Sequence, residues 1–114
     1  MMSCLFVSFS GILNKPHEDL RAQVCDFIEL NNPAVFDNFS LKEWVFVDSG
    51  LDVHKYAERM RMTSTWGGAI ELFCLAVLHN LSIFVHISGT LHHVVGSGHT
   101  TVNLMYTGTH YSLL

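Results

Sequence analysis

Apolar residues recur at helical spacing in the first two thirds of this chain and at strand spacing in its last third. Leu20, Val24, Phe27 and Ile28 fall on one face of a helix. Pro16 and the acidic pair Glu18 and Asp19 mark its start, because proline is preformed for a first turn and carboxylates suit the positive end of the helix dipole. Asn31-Asn32-Pro33 predicts its end, since the residue before a proline is pushed out of the α region. Asp52 is placed to cap a second helix, from Val53 to about Met62, with Tyr56, Ala57 and Met60 turned inward. Thr63 to Gly68 reads as a loop. Ala69 to His79 is apolar nearly all round, which predicts a central buried helix.

After Asn80 the period changes. Ser82 to Ile87, Leu91 to Val95, Thr101 to Tyr106 and Tyr111 to Leu114 are predicted strands, separated by glycines. Two stretches resist assignment. Cys4 to Asn14 is apolar with serines interspersed and fits a buried helix or a strand. Phe36 to Val47 is aromatic and irregular; if extended, it would turn Trp44 and Phe46 the same way. Helices come first and strands second, which predicts an α+β fold with helices packed on a small, mostly antiparallel C-terminal sheet. No repeat, linker or low-complexity tract divides the chain, so residues 1–114 are expected to form a single domain.

Composition narrows the functional classes. Apolar residues make up 49% and charged residues 14%, ample to bury a core and unlike a disordered chain. A net charge of −4 with six Lys and Arg lacks the basic stripe that nucleic acid requires. No apolar run approaches the roughly 18 residues of a membrane span, and no basic cluster flanks one, so no membrane insertion is expected. Cys4 to Leu13 superficially resembles a signal-peptide core. No Lys or Arg precedes it, however, and no small-x-small cleavage site follows before Lys15-Pro16. Asn38-Phe39-Ser40 and Asn80-Leu81-Ser82 fit the glycosylation pattern, which has no weight outside a secreted context. Three cysteines, Cys4, Cys25 and Cys74, have no close pair and suit a reduced, cytoplasmic compartment.

Candidate chemistry lies at the two ends. A thiol with pKa ~8.5 is mostly protonated at neutral pH, so a nucleophilic cysteine needs an imidazole beside it. Cys4 near the start and His110 near the end could meet only through the fold. On the residues alone the bland readings stand beside this one: Cys4 as a small buried thiol next to Leu5 and Phe6, and His110 as an exposed hairpin histidine. Cys25 and Cys74 sit in apolar helices and read as packed. Trp66 reads as a packing residue. His92, His93 and His99 suggest zinc, but adjacent histidines on a strand point to opposite faces and no further ligand lies near. They are expected to be solvated, with no metal and no other cofactor.

Three blocks nevertheless resemble the ovarian-tumour (OTU) family of cysteine proteases. The first is Cys4-Leu5-Phe6 followed by Ser8 and Ser10. The second is Thr65-Trp66-Gly67-Gly68-Ala69-Ile70-Glu71-Leu72 with Leu75-Ala76 and Ile83-Phe84-Val85. The third is Asn103-Leu104-Met105-Tyr106 with His110-Tyr111, and Leu20-Arg21 with Val24 adds the second helix. The blocks keep the family's order and cover most of the chain, which is short and looks most like the compact OTU domains of plant-virus replicase polyproteins. On that resemblance Met1 and Leu114 would be the ends of a trimmed domain.

The resemblance implies a papain-like OTU fold and hydrolysis of the bond after the C-terminal glycine of ubiquitin or a ubiquitin-like protein. Its partners would be such conjugates and its own viral polyprotein, in the host cytoplasm. Cys4 would be the nucleophile and His110 the general base. The backbone N–H groups of Cys4 and of Ser3 or Met2 would form the oxyanion hole. Two departures stand out: Met1 where the family often has an aspartate, and Ser112 where it often has Asp or Asn to orient the ring. Ser112 would orient His110 only weakly. These departures motivate the alternative, a weak or inactive OTU-like module that binds ubiquitin or another protein. A small secreted or structural domain without a site is the second rival.

Overall fold

The computed structural model describes residues 4–30, 35–36, 38–62, 65, 67–108 and 110–114, Cys4 by its backbone. Helix α1 spans Cys4–Leu13 and α2 His17–Glu29; a two-residue pair, β1 (Val35–Phe36) and β2 (Phe39–Ser40), leads into α3 (Leu41–Ser49). Helices α4 (Val53–Met60) and α5 (Ala69–His79) follow, then strands β3 (Leu81–Ile87), β4 (Thr90–Val95), β5 (Thr100–Tyr106) and β6 (Tyr111–Leu113). The α+β order is as expected.

The undecided stretch after Met1 is helical from Cys4 onward. Leu5, Phe6 and Phe9 are buried along one face, while Ser10 leaves that face to bond the Lys15 carbonyl at 2.6 Å. Helix α2 buries Leu20, Val24 and Ile28 as its spacing predicts. Its C-cap is Leu30; Asn31, Asn32 and Pro33 lie outside the described residues. Asp52 caps α4 by accepting the Lys55 N–H at 2.9 Å.

Phe36 to Val47 is not irregular. Asn38 takes the left-handed conformation and turns β1 back on β2. Ser40 and Glu43 then form a capping box: the Ser40 hydroxyl accepts the Glu43 N–H at 3.3 Å, and the Glu43 carboxylate accepts the Ser40 N–H at 3.1 Å. Those bonds start α3. Trp44 and Phe46 therefore diverge: the Trp44 indole N–H donates to the Phe36 carbonyl, whereas Phe46 is exposed.

The four-stranded sheet has the order β4-β3-β5-β6. Its outer pairs are antiparallel, and its central pair, β3 with β5, is parallel. To reach the far side of β3 the chain crosses its start at Gly96 and Gly98. The Gly98 N–H donates to the Leu81 carbonyl at 3.1 Å, and a Cβ on Gly98 would fall 2.0 Å from the Asn80 carbonyl carbon. Only glycine passes there. Between sheet and helices lies one apolar core, with Leu72 and Leu75 of α5, Ile83 and Val85 of β3, Leu104 of β5, and Leu20 and Ile28 of α2. Each such side chain is worth roughly 1.5–3 kcal/mol of burial. No helix among the described residues is long and apolar enough to cross a membrane.

Candidate active site

Packing places α1 beside β6, so the first helix lies against the last strand. The Ser8 hydroxyl donates to the Tyr111 carbonyl at 3.3 Å, a bond between residues 103 apart in sequence. Residues four apart on a helix share a face. Cys4 is thus one turn, about 6 Å of rise, from a contact made to the residue after His110. Met1, Met2, Ser3 and the Cys4 side chain lie outside the described residues.

The turn that presents His110 is firmly built. Its N–H donates to the Thr107 hydroxyl at 3.2 Å, and its carbonyl accepts the Thr107 N–H at 3.0 Å. Gly108 takes φ +97°, and the Tyr106 hydroxyl donates to its carbonyl at 2.9 Å. The Tyr106 and Tyr111 rings stack with centroids 4.5 Å apart, and burial pushes the Tyr111 phenol up to about 12. His110 itself is exposed, as a group that must meet a substrate would be. Ser112 is half-buried on β6 and pairs in register with Met105.

A cleft of about 630 Å³ opens next to this turn, walled by Gly67 and Gly68 on one side, His92 and His93 on another, and Gly108 and Tyr111 at the end. Gly67 lies against the first turn of α1. A Cβ there would be 3.4 Å from Leu5 Cδ1 and Phe6 Cε2. The cleft, the start of α1 and the His110 turn are therefore contiguous. Trp66, read as a packing residue, lies outside the described residues.

His92 and His93 correct an expectation. They are exposed on β4, as expected, but they do not point to opposite faces: both line the cleft. The reason is a β-bulge. Val85 pairs with His93 and His86 with Leu91, which leaves His92 as the extra residue. A bulge breaks the alternation of side chains, so neighbouring histidines reach the same cleft with ring centroids 5.3 Å apart. His99 is exposed elsewhere, after Gly98. Among the described residues, no three His, Cys, Asp or Glu side chains are grouped as a metal ion would need.

One residue escaped the sequence reading. Glu71, quoted in the second block but given no role there, sits on the nearly all-apolar α5 with only 1% of its surface exposed. Its Oε1 accepts the Gly68 N–H at 2.6 Å and its Oε2 accepts the Tyr56 hydroxyl at 2.7 Å. Burial raises its pKa to about 7, against the pull of those two donors. The Gly68-x-x-Glu71 spacing, a helix-capping pattern, was the available signal. Arg21 is a second buried charge: it donates to the Met60 carbonyl at 2.8 Å and the Met62 carbonyl at 3.1 Å, and lies 4.6 Å from the centre of the Phe6 ring. It ties α2, the end of α4 and the first turn of α1 together. Cys25 and Cys74 are buried, and burial pushes their thiols up, Cys25 to about 11. Both are packed, unreactive thiols.

Comparison with known proteins agrees with the architecture. An OTU domain solved in complex with ubiquitin superposes with a TM-score of 0.75 at 23% identity, over 97% of this chain and 62% of that one. This chain thus spans less than two thirds of that domain's length. The viral OTU domain protease of Qalyub virus gives 0.68 at 20% identity, over 96% of this chain and 75% of the other. The Hazara virus OTU bound to ubiquitin gives 0.67 at 20% identity, over 97% and 75%. Compared directly with curated protein sequences, the chain matches none. The family model for OTU-like cysteine proteases matches residues 3–112, nearly the whole chain. A helix-opening cysteine, a terminal histidine turn, the fold and that match converge on one assignment: the chain belongs to the OTU-like cysteine protease family.

Proposed function

We propose that this domain is a thiol-dependent hydrolase that cuts the bond after the C-terminal glycine of ubiquitin or a ubiquitin-like protein, with Cys4 as nucleophile and His110 as general base. The observation that supports this reading is the Ser8–Tyr111 bond, which ties α1, one turn after Cys4, to the residue that follows His110. Solved relatives of the same fold bind ubiquitin, which supports it as the partner. The glycine-walled cleft suits a slender chain ending in paired glycines.

The reaction follows from these proposed roles. His110 takes the Cys4 thiol proton, and the thiolate is favoured by the positive end of α1. Sulfur attacks the glycine carbonyl carbon, and the oxyanion is received by backbone N–H groups at Cys4 and at Ser3 or Met2. The C–N bond breaks as the His110 imidazolium protonates the leaving amine. Water, deprotonated by His110, then attacks the thioester, the C–S bond breaks, and the carboxylate leaves. Ser112 brings no charge to the ring, so the site works as a dyad. The same chemistry would serve self-cleavage of a polyprotein containing the domain.

Ubiquitin with a C-terminal electrophile tests the assignment. The expected result is a covalent adduct on Cys4, absent in Cys4→Ala. No adduct, or one on Cys25 or Cys74, would overturn it; binding without an adduct would favour the alternative, a non-catalytic ubiquitin-binding module.

A further inference from the structure

The wall between the start of α1 and the cleft is a strip of bare backbone, Gly67-Gly68. With no side chain to anchor it, something else must hold it. Gly67 faces Leu5 and Phe6 so closely that a Cβ would meet both at 3.4 Å, and the Gly68 N–H is taken by Glu71 at 2.6 Å on the other side. Glu71 is in turn fixed by the Tyr56 hydroxyl at 2.7 Å. This is a chain of support running from α4 through a buried carboxylate on α5 to the edge of the cleft.

We propose that Glu71 is a positioning residue for hydrolysis: by holding the Gly67–Gly68 strip against the first turn of α1, it sets the alignment of the substrate chain in the cleft. The inference rests on the reading of Cys4 as nucleophile. A carboxylate placed only to start a helix would not need burial, and caps are ordinarily solvated. Here both oxygens are occupied by fixed donors. The charged and titratable groups around it include Tyr56 on α4, Asp48 on α3, Arg21 and Cys25 on α2, Cys74 on α5 and Tyr111 on β6. Asp48 and Tyr111 also line the cleft, so Glu71 sits directly behind its wall. Misplacing a substrate by about 1 Å can cost on the order of 10²-fold in rate.

Glutamine can keep both bonds, its oxygen accepting from Gly68 and its amide donating to the Tyr56 oxygen. Alanine keeps neither. In turnover of a ubiquitin–fluorophore substrate, Glu71→Ala should lower kcat/KM about 30-fold or more and Glu71→Gln less than about fivefold. Alkylation by iodoacetamide, followed by mass, supplies the control. A folded chain should label at Cys4 alone, at a rate within about twofold of wild type, because Cys25 and Cys74 are buried. A merely structural role would instead open all three thiols together. Folded Glu71→Ala with near-wild-type turnover would overturn the proposal, as would equal losses in the Gln and Ala variants. If Glu71→Ala labels at all three cysteines, Tyr56→Phe decides: about a tenfold loss with single labelling supports positioning, and unchanged turnover refutes it. Wild type that does not react with a ubiquitin electrophile would remove the enzyme reading itself, and the positioning role with it.

Discussion

Glu71 should make the protein less stable as the pH rises from 5 to 8. The carboxyl is fully enclosed, and burial lifts its pKa from an ordinary 4.5 to about 7 in the folded chain. Between those values the folded state keeps a proton that the unfolded state has released. Stability then falls with pH, because it rises only where the unfolded state binds more protons. The contribution is complete below 4.5 and is lost as pH passes through 7. At ~1.4 kcal/mol per pH unit the loss is on the order of 3 kcal/mol, large for a domain whose total stability is about 5–15 kcal/mol. His79, whose pKa burial lowers, works in the opposite sense, but it is common to wild type and mutant and cancels in their difference. The assay is urea unfolding of wild type and Glu71→Gln at pH 5, 6, 7 and 8. Glutamine does not titrate, so the stability difference between the two proteins should grow by on the order of 3 kcal/mol in favour of Gln across that range. Curves parallel to within about 0.5 kcal/mol would mean that the Tyr56 and Gly68 donors offset the burial completely, and the reasoning from burial would fail.

His110→Ala should lower turnover of a ubiquitin–fluorophore substrate by on the order of 10²-fold or more and slow alkylation of Cys4 at neutral pH; equal alkylation rates would break the proposed pairing. Ser112→Ala should cost less than roughly tenfold in kcat/KM, or about 1.4 kcal/mol, and a thousandfold loss in a folded variant would make the serine a third catalytic member. Gly98→Ala should destabilise the fold by at least about 3 kcal/mol in chemical unfolding, since its Cβ meets backbone that cannot move aside. Gly11→Ala, in open space on α1, should instead be neutral or stabilising by up to about 1 kcal/mol.

Legibility in the sequence followed burial. Helix α5 and strands β3 and β5 bury sets of apolar residues at regular spacing, which announced them, whereas β4 buries only Val95 and β6 is half-buried or exposed. Helix α3 was missed because only Leu41 and Val45 on it are buried while Phe46 and Val47 face solvent, so its apolar residues do not mark one face. Its start was written in Ser40 and Glu43 instead. The parallel pairing of β3 with β5 depends on a crossover at Gly96 and Gly98, which strand periodicity does not encode. At the candidate site, Cys4 and His110 could be nominated from chemistry and resemblance. The two histidines in the cleft could not, because a bulge is a mismatch between two strands and is invisible in either one. Glu71 was hidden for a related reason: a buried carboxylate is intelligible only once Tyr56 and Gly68 are seen to meet it.

The Ser8–Tyr111 bond also sets when the two ends of the chain can come together. It closes a loop of nearly the whole chain, with an entropic cost of about 4 kcal/mol from the length dependence of loop closure. On a ribosome adding roughly 5–20 residues per second, those 103 residues take about 5–20 s to synthesise. Throughout that interval the nascent chain has the start of α1 and the Cys4 thiol but neither the His110 turn nor β6. Until His110 and Tyr111 are made, the proposed Cys4–His110 pair lacks its histidine and α1 lacks the strand it packs against.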